Sequence, residues 1–109
     1  MNDIIKQLRA FSKDRGWEKF QNPGELARAA FIECGELNEL YLWGKNPDLY
    51  RSHEELADVL IYIIMICDYL GLDENGIKQI IRNKIHKNSI KYPCPSSDEQ
   101  DALWNYKLS

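Results

Sequence analysis

A chain of 109 residues has room for one compact domain and little beyond it. Its residues are 44% hydrophobic and 28% charged, a balance that excludes wholesale disorder. The 14 basic and 17 acidic side chains leave a formal charge of −3, so the chain lacks the positive excess that binding a nucleic-acid polymer demands.

The first segment, about 3–15, carries Ile4, Ile5, Leu8 and Phe11 at helical spacing and is predicted to end at Gly16. A short connector, Trp17 to Asn22, follows. Asn22 as a cap, Pro23 in the first turn and Glu25 three residues after the cap predict a second helix. It should run to about Trp43, where Gly44-Lys45-Asn46-Pro47 breaks it. Ser52 followed by Glu55 resembles another capping box and predicts a third helix ending near Leu70, with Gly71 after it. Asp73 can open a fourth helix, which continues to about Ile90 before Tyr92-Pro93 stops it.

No segment alternates with period two between hairpin turn signals. The expectation is therefore an all-α fold, an antiparallel four-helix bundle-type subunit. Residues 1–93 form the helical domain, and 94–109 a C-terminal tail with a short turn of helix around Asp98 to Trp104. From Leu56 to Leu70 the third helix is apolar on most of its circumference. Three partner helices in so small a chain can hardly cover such a surface, so the subunit is expected to be completed by oligomerisation, as a dimer at least.

The longest apolar run, Val59 to Cys67, stops at Asp68, well short of the ~18 residues that span a bilayer. No membrane partner is expected. Met1-Asn2-Asp3 does not begin a signal peptide, and Cys34, Cys67 and Cys94 are odd in number without metal-type spacing. They read as reduced cysteines in a cytoplasmic protein. His53 and His86 are too few for a zinc site of His and Cys.

Four acids fall where apolar residues belong. On the second helix Leu26, Ala29, Ala30, Leu37 and Leu40 form one stripe; Glu33 stands at its centre, and Glu36 follows three residues on. On the third helix Glu55 and Asp58 repeat the three-residue spacing, and Asp58 leads into Tyr62 and Met65 on the same face. Burying one unpaired carboxylate costs several kcal/mol, and clustered carboxylates repel one another as well. A divalent cation removes the conflict by taking oxygen ligands from adjacent turns. Such hard donors suit Mg²⁺, with Mn²⁺ as a substitute. A di-iron bundle would need a Glu-x-x-His motif, and neither pair contains His. The bland reading is that these are solvated acids, with Glu55 a capping residue.

On the fourth helix Ile77, Ile81 and Ile85 mark an expected inward stripe, with Lys84 and Asn88 along its border and Lys91 and Tyr92 extending that side. Beside an acid cluster, Lys84 and Asn88 can hold phosphate oxygens and a sugar or base; without it they read as a solvated basic face or as counter-charges. Trp17 and Phe20 in the connector, Trp43 at a helix end and Tyr62 on the acid-bearing face can stack on a nucleobase, or else pack in a core or interface.

Together these pieces resemble the MazG-like nucleotide pyrophosphohydrolases of the all-α NTP pyrophosphatase superfamily. The matching stretches are Glu33-Cys-Gly-Glu36-Leu37, Glu55-Leu-Ala-Asp58-Val-Leu-Ile-Tyr62 and Lys84-Ile-His-Lys-Asn88-Ser-Ile-Lys-Tyr92-Pro93. Trp17-Glu-Lys-Phe20-Gln21-Asn-Pro23, with Trp43, is most similar to the dCTP pyrophosphatase branch. The resemblance implies that Glu33, Glu36, Glu55 and Asp58 coordinate Mg²⁺, with Glu33 or Glu36 as general base. It further implies that Lys84 and Asn88 contact the nucleotide, Tyr62 the sugar neighbourhood, and Trp17 and Trp43 the base. Gln21 stands where close relatives carry His, which leaves the base preference open. The implied function is Mg²⁺-dependent hydrolysis of a (deoxy)nucleoside triphosphate to monophosphate and pyrophosphate, by a homodimer or homotetramer, in control of the nucleotide pool. The alternatives are a non-catalytic nucleotide-binding regulatory module and a helical interaction domain.

Overall fold

The computed structural model describes residues 1–44, 46–94, 98 and 101. Every regular element among them is helical: α1 (Asn2–Asp14), α2 (Pro23–Glu39), α3 (Leu49–Tyr69) and α4 (Glu74–Lys91), with 3-10 turns at Glu18–Phe20 and Leu42–Gly44. The all-α expectation holds. Two compact units are present, Met1–Ile77 and Lys78–Ser109, and the boundary falls within α4. Of the short helix expected around Asp98 to Trp104, Asp98 and Asp101 are helical; its other residues lie outside the described ones.

Local chemistry sets most of the boundaries. Gly16 and Gly71 take positive φ (66° and 82°) just past the ends of α1 and α3, a conformation without side-chain penalty only in glycine. Asn22 Oδ1 accepts from Glu25 N at 2.9 Å and starts α2. Asp73 Oδ1 accepts from Gly76 N at 2.8 Å at the start of α4.

Two boundaries differ from the sequence reading. α2 ends at Glu39 rather than near Trp43, because the chain leaves the helix through Leu40 and Tyr41 and Trp43 itself adopts φ 64°. α3 starts at Leu49, and its cap is Asp48, whose Oδ1 accepts from Arg51 N at 3.1 Å. Ser52 lies inside the helix, buried; its Oγ accepts from Tyr41 OH at 2.7 Å and donates to Asp48 O at 3.4 Å. An earlier acidic cap outcompetes the capping-box pattern at Ser52. Asp48→Ala is therefore expected to lower the unfolding free energy by about 1 kcal/mol in a urea titration, and no change in the midpoint would refute the capping role.

Within Met1–Ile77, α2 and α3 form an antiparallel hairpin, with Tyr41 meeting Ser52 and Glu33 meeting Asp58 nearer the other end of α2. α1 is tied to α3 by Arg9, whose Nε and Nη2 both reach the Asp68 carboxylate. Asn2 Oδ1 accepts from Glu74 N at 2.9 Å and pins the start of α1 to the start of α4. Ile5, Leu26 and Ala30 are the buried apolar residues of this unit.

Much apolar surface remains open. Leu56, Leu60 and Ile63 are exposed along α3, as are Phe31 and Ile32 on α2. The α4 stripe expected to face inward is half-buried at Ile77 and exposed at Ile81 and Ile85. Among the described residues no helix is long and apolar enough to cross a membrane.

Candidate functional site

Antiparallel pairing of α2 with α3 fixes where the acids go. Glu33 and Glu36 sit one turn apart on α2, Glu55 and Asp58 one turn apart on α3, and opposed directions bring the two pairs together. One carboxylate oxygen from each of Glu33, Glu55 and Asp58 lies within 4.8 Å of the others. Glu33 and Glu55 are half-buried, while Asp58 is exposed. Glu36, also exposed, is within hydrogen-bonding reach of both Glu33 and Glu55.

The electrostatics of this cluster are unfavourable as it stands. Desolvation, then Glu36, Asp58 and Glu55, push the Glu33 carboxyl above its ordinary value. Desolvation also raises the Glu55 carboxyl, with Glu36 and Asp58 adding to it and Arg51 opposing. Glu33 Oε2 and Glu55 Oε2 are buried without a hydrogen-bond partner. Buried polar atoms are seldom left in that state. Two carboxylates that each carry an orphaned oxygen, gathered with a third, form a hard-oxygen donor set that fits a divalent cation.

Two cavities adjoin the cluster. The first, about 460 Å³, is walled by Phe11 and Leu8 of α1, by Trp17, and by Asp58, Tyr62 and Met65 of α3. Phe11 and Trp17 meet edge to face, centroids 5.5 Å apart at 71°. Gln21 also borders this cavity. The second, about 680 Å³, lies towards the start of α3 and is lined by Glu36, Glu39, Asn46, Arg51 and Glu55.

The site residues expected from sequence thus fall into three groups. Glu33, Glu36, Glu55 and Asp58 are brought together, and Trp17, Gln21 and Tyr62 line the cavity that Asp58 borders. Trp43 is 91% exposed and lines neither cavity. Lys84, Asn88, Lys91 and Tyr92 belong to the unit Lys78–Ser109 and are exposed there; Lys91 Nζ stands 5.4 Å from the Tyr92 ring centroid. Sequence reasoning missed Phe11 and Arg51. Phe11 read as core at helical spacing, and the only signal for Arg51 was its position one turn before Glu55.

No family model matches the sequence. The chain is similar to dCTP pyrophosphatase 1 of Mus musculus, 32% identical over 103 residues that make up 85% of this chain and 59% of that protein. It is 31% identical over 104 residues to dCTP pyrophosphatase 1 of Homo sapiens, covering 86% of this chain and 59% of that one. The chain thus spans 59% of the length of these curated relatives. Among solved structures it is similar to a pyrophosphatase from Archaeoglobus fulgidus, with 35% identity and a TM-score of 0.72 over 84% of this chain and 91% of that one.

Proposed function

The chain belongs to the MazG-like, all-α NTP pyrophosphatase family, and from this premise we propose that it is a Mg²⁺-dependent nucleoside triphosphate pyrophosphohydrolase. Its substrates are deoxynucleotides such as dCTP, and its role is control of the nucleotide pool. The observation that carries the reading is the convergence of Glu33, Glu55 and Asp58, two of them with orphaned buried oxygens.

In this reading Glu33, Glu55 and Asp58 hold Mg²⁺, with Mn²⁺ as a substitute. When bound, the ion neutralises phosphate charge and activates water. Glu36 stands outside the tight trio yet beside it, exposed at the second cavity, and accepts the proton of the attacking water. The water oxygen bonds to the α-phosphorus, the bond to the α–β bridging oxygen breaks, and pyrophosphate leaves with that electron pair. Trp17 and Tyr62 give the base and sugar an aromatic wall beside Asp58. The resemblance, rather than any arrangement of the two units, assigns nucleotide contacts to Trp43, Lys84, Asn88, Lys91 and Tyr92, with Lys84 stabilising charge that develops on the phosphates. The open apolar faces of α2 and α3 support assembly as a homodimer or homotetramer.

Product analysis tests the function. Incubated with canonical and modified dNTPs and Mg²⁺, the protein should release monophosphate and pyrophosphate in equal amounts from at least one of them. Release of inorganic phosphate, or intact nucleotide throughout, would refute the assignment.

A further inference from the structure

One face of α3 carries a graded row of chemistry. Arg51, Glu55, Asp58, Tyr62 and Met65 follow at alternating spacings of four and three residues, which places them along a single stripe. From Arg51 to Tyr62 the row spans about 16 Å at ~1.5 Å per residue, comparable with an extended nucleoside triphosphate. The two cavities lie at opposite ends of it. The aromatic cavity contains Asp58, Tyr62 and Met65; the other contains Arg51 and Glu55 and, among the described residues, no aromatic side chain lines it.

Among the described residues, Arg51 is the sole cation in the lining of the second cavity. Its side chain is exposed and makes no ion pair among the described residues. It faces Glu36, Glu39 and Glu55 across the same space. An anion entering there meets those acids as well, so it needs a fixed positive group to stay. A guanidinium presents a planar fork of donors matched to phosphate oxygens, and it stays charged at any working pH.

Resting on the proposed activity, we infer that Arg51 is the anchor for the β- and γ-phosphates, so that the substrate lies along α3 with its base at Tyr62 and its leaving pyrophosphate at Arg51. The direction of binding follows from the order of residues on one helix. The scissile α–β bond then falls beside Glu55 and Asp58, between the two cavities.

The test measures binding of the two products separately, by calorimetry in Mg²⁺, so that it reads out without turnover. Arg51→Ala should weaken pyrophosphate at least about tenfold, as loss of one charge-assisted contact does, and leave dCMP within about twofold. Arg51→Lys, which keeps the charge but not the fork, should recover part of the loss. If Arg51 merely offsets the acids, Arg51→Ala would tighten Mn²⁺ binding and leave pyrophosphate unchanged, and the inference fails. Equal weakening of dCMP and pyrophosphate overturns it too, as does absence of pyrophosphate binding by the unaltered protein. Failure of the hydrolase reading would show instead in product analysis, as intact nucleotide, whatever Arg51 does.

Discussion

Asp58→Asn and Glu36→Gln are each expected to cut kcat for dCTP at least about 100-fold, the scale seen when one preorganised charge-stabilising group is removed. The two variants should nonetheless separate on metal binding. Asp58 belongs to the trio whose oxygens converge within 4.8 Å, so its amide weakens Mn²⁺ binding together with turnover. Glu36 stands beside that trio, so its amide should lose turnover while keeping most of the metal affinity. Both positions are exposed, and circular dichroism should report an unchanged helical fold. Near-normal kcat in both variants would dismiss the site, and equal loss of Mn²⁺ affinity would place Glu36 among the ligands rather than at the water.

A second large effect concerns stability, and its sign is set by the raised carboxyls. Glu33 and Glu55 titrate above their ordinary 4.5 in the folded chain, first because they are desolvated and then because the neighbouring carboxylates, Glu36 and Asp58 among them, disfavour their charged forms. Between 4.5 and those raised values the folded protein holds protons that the unfolded chain has released. Stability contributed by these groups is therefore complete below 4.5 and is lost as pH rises through the folded values. In chelator, Tm should fall over that window. A saturating divalent ion removes the repulsion and adds binding free energy, about 2.7 kcal/mol at a hundredfold excess over Kd. For a chain of this size that is a rise in Tm of roughly 10 °C or more. A Tm indifferent to Mg²⁺ and Mn²⁺ at neutral pH would favour a helical interaction domain with solvated acids.

The parts of the molecule legible in sequence are those written in local chemistry. Asn22, Gly16, Gly71 and Asp73 mark ends of helices because each meets a backbone group within a few residues. The acid pairs were legible for a related reason. A carboxylate within an apolar stripe is an anomaly visible at a spacing of three, and consecutive helices joined by a short connection have little choice but to pack. Ser52 misled because its capping-box pattern is equally compatible with a buried hydroxyl that bonds Tyr41 and Asp48. Arg51 offered only its place one turn before Glu55, since a lone arginine in a first turn reads as surface until the cavity beside it is known. Ile81 and Ile85 show that spacing alone marks a stripe without saying what covers it.

The division of labour between α1 and the α2–α3 hairpin has its own consequence. The converging carboxylates all come from the hairpin, whereas much of the aromatic cavity's opposite wall, including Leu8 and Phe11, comes from α1. On the proposed activity, side chains on α1 can thus be exchanged without displacing any of the converging carboxylate oxygens. Selectivity and reactivity are separable by inheritance: one helix is available for retuning what is admitted, while the neighbouring pair preserves what is done to it.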